Sequence, residues 1–137
     1  MRCKRAEPVK RAAAALIGLL GLWAPALAAE PQTLPAEDQQ RLVLAALPQE
    51  RRQSPGLEVR LVGADPQYPR LVEYMVARPA AVIGYFDVDP RTGDVFQATG
   101  CGPMSTPELE RLKLEARRKL HLTPESYARR RLKAPYC

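Results

Sequence analysis

Apolar residues in this 137-residue chain follow three spacing rules in turn, and each rule predicts an element. From Ala12 to Trp23 they form a nearly continuous block. From Leu57 to Val62 they alternate: Leu57, Val59 and Leu61 point one way, and Glu58, Arg60 and Val62 the other, which predicts a half-buried strand. From Leu109 onward they recur at helical spacing, with Leu109, Leu112, Ala116 and Leu120 on one face.

The segments between these landmarks fill in the order. Ala36–Leu47 reads as a helix, with Glu37 and Asp38 in the first turn, where the macrodipole favours carboxylates, and Pro48 at its end. Leu42, Val43, Ala46 and Leu47 form its apolar face. Gln49–Gly56 reads as a polar loop and Gly63–Pro66 as a turn. Tyr68–Ala77 suits a strand or one to two helical turns; its β-branched and aromatic residues favour strand. Ala81–Asp89 and Asp94–Thr99 predict a β-hairpin. In its turn Pro90 presets φ and Gly93 supplies the left-handed conformation. Gly84 marks a bulge or a close backbone approach in the first strand of that hairpin. Thr106-Pro107-Glu108 is a helix start, an N-cap followed by Pro at N1. Glu115 and Lys119 are spaced for an i, i+4 pair along that helix. Thr123-Pro124-Glu125 starts a second, shorter helix running to about Leu132. The order implies an α+β fold: a small antiparallel sheet of three to four strands packed against an N-terminal helix and C-terminal helices.

The apolar block changes how the rest is read. Arg2, Lys4, Arg5, Lys10 and Arg11 precede it, and Ala26-Leu27-Ala28 follows, which is the pattern of a secretory signal peptide over residues 1–28. Ala12–Ala28 also contains Gly18, Gly21 and Pro25 and falls short of the about 20 apolar residues of a membrane span, so cleavage after Ala28 or Ala29 is expected, with no transmembrane anchor left. No cysteine lies directly after the block, at the cleavage region, which argues against an acylated lipoprotein. The expected location is periplasmic or secreted. Residues 29–35 read as a flexible lead, and 36–137 as a single domain.

Cleavage takes the formal charge of +6 to about +2, which removes most of the support for nucleic-acid binding. It also takes three cysteines to two, Cys101 and Cys137. In an oxidising compartment these read as one disulfide closing a loop of about 36 residues, a stabilisation of about 3–4 kcal/mol on the chain-entropy model. The remaining charge is uneven. Residues 29–100 carry more acidic than basic side chains, whereas residues 101–137 carry four acidic and nine basic ones. Arg117, Arg118, Lys119, Arg129, Arg130 and Arg131 are the candidate partner-binding residues, a steering patch for an acidic protein or an anionic envelope surface.

Catalytic chemistry finds no assembled set in the sequence. His121 is the only histidine and reads as a surface or helix-end residue. Ser54, Ser105 and Ser126 lie in no nucleophile motif. Asp87–Asp94 invites a calcium loop, but counted from Asp87 the sixth position is Thr92 and the twelfth is Ala98, where an EF-hand needs Gly and Glu. No metal, cofactor or catalytic residue is therefore assigned.

The hairpin from Tyr85 to Val95, with its V-D-x-x-T-G-x-V turn, resembles the terminal hairpin of PepSY-like domains. It is also similar to the hairpin of small cystatin-like or NTF2-like immunity proteins of bacteria. The resemblance covers about 15 residues and implies a binding or inhibiting role with no catalytic residues to carry over. The long basic helix after the hairpin and the Cys101–Cys137 pair depart from a minimal PepSY unit. The sequence thus leads to an exported, non-enzymatic binding protein, an inhibitor or immunity-type partner of an envelope protein that binds through a sheet face or an exposed loop. The alternatives are an accessory protein laying its basic C-terminal helices on anionic surfaces, and a small enzyme with an unrecognised site.

Overall fold

A computed structural model of the chain describes residues 32–100, 102–133 and 135–137. The signal-peptide region and Cys101 lie outside the described residues. The elements run α1 (Ala36–Ala46), α2 (Gln49–Arg52), β1 (Glu58–Ala64), β2 (Val72–Arg78), β3 (Ala81–Val88), β4 (Val95–Gln97), α3 (Pro107–Lys119) and α4 (Pro124–Arg130). The four strands form an antiparallel meander in the order β1-β2-β3-β4. The architecture is α+β, as the pattern of elements predicts.

The pairing register sorts side chains by face. Leu61, Tyr74 and Phe86 lie in one row, and Val72, Val88 and Val95 in another, on the face that meets the helices. Leu42, Val43 and Ala46 of α1 and Leu109, Leu112, Ala116 and Leu120 of α3 close this core from above. The helical face predicted for α3 is buried in full. Two polar links seat the helices. Thr106 caps α3 by accepting from the Leu109 N–H (3.1 Å), and its hydroxyl donates to the Ala45 carbonyl (2.6 Å) at the end of α1. The buried Tyr74 hydroxyl donates to Gln39 (3.0 Å), whose amide donates to the Leu34 carbonyl (2.7 Å), so both of these buried side chains find partners.

Several expectations change. The stretch read as a loop after Pro48 contains α2, because the Pro48 carbonyl accepts the N–H groups of Arg51 and Arg52 and starts a helical turn. β1 runs on through the predicted Gly63-Ala64 turn, across a bulge between Leu61 and Gly63. Leu61 points to the helix side but is 57% exposed, because it sits on the edge strand beyond the reach of the helices. Of Tyr68–Ala77, only the part from Val72 is strand; before it, the Asp65 carboxylate accepts the N–H groups of Gln67 and Tyr68 (2.7 Å each) and bends the chain. The Glu115–Lys119 pair does not form: Arg111 takes Glu115, and Lys119 reaches Asp38 on α1 (2.7 Å). Leu34, in the stretch read as a lead, is buried, and its N–H donates to the Pro90 carbonyl (2.8 Å).

Candidate binding site

The turn that closes β3 and β4 is the point where the C-terminal helices dock. Asp89 accepts the Arg91 N–H (3.0 Å) and the Arg70 guanidinium, and its N–H donates to the Asp94 carbonyl (2.9 Å). Gly93 sits at φ +78°, as the turn requires. Asp94 accepts from Arg117 of α3 (3.3 Å) and faces the Tyr127 hydroxyl of α4 at 3.0 Å. The Arg117 guanidinium lies 3.7 Å over the Tyr127 ring, a cation–π contact. Asp89, Gly93 and Asp94 of the stretch that suggested a calcium loop are thus engaged in turn geometry and helix docking.

This arrangement divides the predicted basic patch. Arg117 is committed to Asp94 and Tyr127, and Lys119 to Asp38. Arg118, Arg129, Arg130 and Arg131 have exposed positions at the end of α3 and on and after α4. The Arg130 carbonyl accepts from Arg70, which fixes the end of α4 to the β1–β2 connection. His121 follows α3 at φ 51°. Its N–H donates to the Arg118 carbonyl (3.1 Å) and the next N–H, Leu122, to the Arg117 carbonyl (2.9 Å), which makes it the left-handed residue of a Schellman end. It is an exposed helix-end histidine, as its sequence context suggests.

On the other face of the sheet, residues align in three rows. Glu73, Asp87 and Phe96 form the first, Arg60, Met75 and Tyr85 the second, and Glu58, Ala77 and Val82 the third. The C-terminal tail covers the first row. The Tyr136 hydroxyl lies 2.8 Å from Asp65 and 2.5 Å from Asp87, and the Tyr136 ring meets Tyr68 edge-on with centroids 5.3 Å apart. Burial pushes Asp87 up to about 6, and the charges of Asp65 and Glu73 add to that while the Tyr136 hydroxyl opposes it. Burial acts the same way on Asp65, but hydrogen bonds from the Tyr68 N–H, the Tyr136 hydroxyl and the Gln67 N–H outweigh it and hold that carboxyl below its ordinary value. The phenol of Tyr136 is pushed up by burial and by both carboxylates. One phenolic proton serves one carboxylate at a time, so Asp65 and Asp87 compete for it. A raised carboxyl can mark a general acid; Asp87 is 0% exposed beneath the tail.

The second and third rows are open. Tyr85 is 42% exposed and Val82 52%, and a shallow groove of about 420 Å³ runs between Glu58, Arg60, Met75 and the β2–β3 turn. Apolar centres beside Glu58, Arg60 and Arg78 give this face both contact area and orienting charge.

No family model and no curated protein matches the chain. In fold it is similar to a chain in a solved type VI secretion system effector–immunity complex from Pseudomonas protegens, with 20% identity and a TM-score of 0.53, over 69% of this chain and 83% of that one. At that identity the likeness carries the fold alone.

The sequence suggested a sheet face and a tail tied back to a strand, but not the residues that make either. Strand alternation placed Arg60 on the polar side, but Met75 and Tyr85 join it only through the register. Asp65, Asp87 and Tyr136 each look like local features of a turn, a strand and a tail.

Proposed function

We propose that this chain is an exported, non-enzymatic binding protein that acts as an immunity-type partner of another envelope protein. The observation that carries this reading is the open outer face of the sheet, where Met75, Tyr85 and Val82 lie beside the Glu58–Arg60 pair of β1. The fold likeness to a chain of an effector–immunity complex supports it, as does the signal-peptide pattern of residues 1–28. The hairpin's resemblance to PepSY-like and cystatin-like domains fits a binding role as well.

In this reading Cys101 and Cys137 form a disulfide that staples the tail to the sheet. Their neighbours support that pairing. Pro103 bridges Phe96, Phe96 pairs with Asp87, and Asp87 meets Tyr136, so both cysteines follow or precede residues gathered at one spot. A mature species whose intact mass fails to rise by about 2 Da on reduction contradicts the bridge.

The decisive experiment is capture from a periplasmic extract with wild type and the Tyr85→Arg variant. A single stoichiometric protein retained at high salt by wild type, and lost by a folded Tyr85→Arg, is the expected result. Recovery of anionic polymer alone, released at moderate salt, overturns the reading. That outcome belongs to the second reading, an accessory protein on anionic envelope surfaces, which the exposed Arg118, Arg129, Arg130 and Arg131 favour.

A further inference from the structure

The two edges of the sheet differ. β4 is three residues long, and its outer side is occupied: Pro103 bridges Phe96, and the Met104 N–H donates to the Val95 carbonyl (2.7 Å). β1 runs for seven residues, and among the described residues no strand lies beyond it. Its outward N–H and C=O groups form a template for another strand. Leu61 and Val62 on this edge are 57% and 53% exposed. The stretch Glu58–Leu61, before the bulge, keeps a regular register with β2.

We propose that β1 pairs antiparallel with β1 of a second copy of this chain about a two-fold axis at Val59, joining the two sheets edge to edge. In that register Val59 faces its own copy, Leu57 faces Leu61, and Glu58 faces Arg60. Each side therefore matches. Leu57, Val59 and Leu61 form an apolar ladder on the helix side, and two Glu–Arg pairs form on the outer side. Neighbouring registers do not match. A shift one way sets Arg60 against Arg60, and the other way sets Glu58 against Glu58. Shifts that put polar against apolar positions invert one sheet relative to the other. Glu58 and Arg60 side chains are 57% and 63% exposed and touch one another within the strand, so both are available to the facing copy. The contact is isologous, as a two-fold interface requires, with affinity from main-chain pairing and register from charge. It uses the sheet edge and does not depend on the outer-face reading.

Sedimentation velocity of the purified chain over a concentration series tests it. Wild type is expected to show a reversible monomer–dimer equilibrium. Glu58→Arg or Arg60→Glu alone places two like-charge pairs at the axis and weakens association about 10- to 100-fold. The double variant E58R/R60E exchanges the partners and restores association. Mixing the two single variants gives a 1:1 heterodimer, since the edge of one then carries two basic side chains and the edge of the other two acidic ones. Circular dichroism checks that every variant folds. The proposal is overturned by a wild type that stays monomeric at about 0.5 mM, by single variants that associate like wild type, or by a folded double variant that stays monomeric. Loss of the dimer only on Tyr85→Arg places the interface elsewhere and overturns it equally.

Discussion

Replacing Asp87 with Asn should make the protein less sensitive to pH. Asp87 is fully buried, its Oδ1 has no hydrogen-bond partner among the described residues, and its Oδ2 meets Tyr136. Its carboxyl is raised from 3.8 to about 6 in the fold. A raised folded pKa means that the folded state holds a proton the unfolded chain releases. The stability it contributes is therefore complete below about pH 3.8 and is lost as pH rises through about 6. At 1.36 kcal/mol per pH unit the displacement amounts to about 3 kcal/mol, and water reaching the site on opening reduces that to about 1–3 kcal/mol. Asp65 runs the opposite way: its depressed carboxyl contributes stability above its unfolded value that is lost as pH falls, so the comparison belongs above pH 4.5. Asn keeps an acceptor for Tyr136 and adds an N–H donor, but carries no charge. Urea unfolding followed by circular dichroism at pH 4.5 and 7.5 reads the effect. Wild type should lose about 1–2 kcal/mol more than Asp87→Asn between the two pH values, with the variant the more stable at pH 7.5. Titrating groups away from the Asp65, Glu73 and Tyr136 cluster are common to both proteins and cancel in the difference. Parallel pH profiles for the two proteins would refute the reasoning, because they would mean that Asp87 does not change protonation in this window.

The glycine of the hairpin turn provides a second test. At Gly93 a Cβ would sit 2.9 Å from the Ala116 Cβ, whereas at Gly102, also at positive φ, it would meet nothing within 4 Å among the described residues. Gly102→Ala should therefore cost the backbone penalty alone, about 1–2 kcal/mol. Gly93→Ala should cost a further 1–3 kcal/mol, roughly, for overpacking against α3; equal losses in urea unfolding would mean that the turn does not press on that helix. His121→Gly relieves a left-handed residue at the Schellman end of α3 and should raise stability by about 0.5–1 kcal/mol. A fall in the urea midpoint would show that the imidazole makes a contact worth more than the relief.

The parts of this fold that were legible in the sequence are those whose causes are local. Thr106-Pro107-Glu108 starts α3 because the cap, the fixed φ and the carboxylate act within one turn. The β3–β4 turn follows from Pro90 and Gly93, and the buried face of α3 from residue spacing alone. Features that depend on contacts between distant positions were not legible. Alternation assigned Leu61 to the core side correctly but could not say that β1 would be an edge, and so could not predict its exposure. Gly63 looked like a turn because glycine usually punctuates, whereas here it follows a bulge inside a strand. The basic C-terminal cluster shows the limit most clearly. Arg117 and Arg118 are adjacent and equally charged in sequence, yet one lies across Tyr127 and meets Asp94, 23 positions away, while the other is exposed. Counting charge measures what a segment could attract. Which charges remain for a partner is decided by the acidic groups the fold brings back to them, and Asp38 and Asp94 have already claimed two of the six.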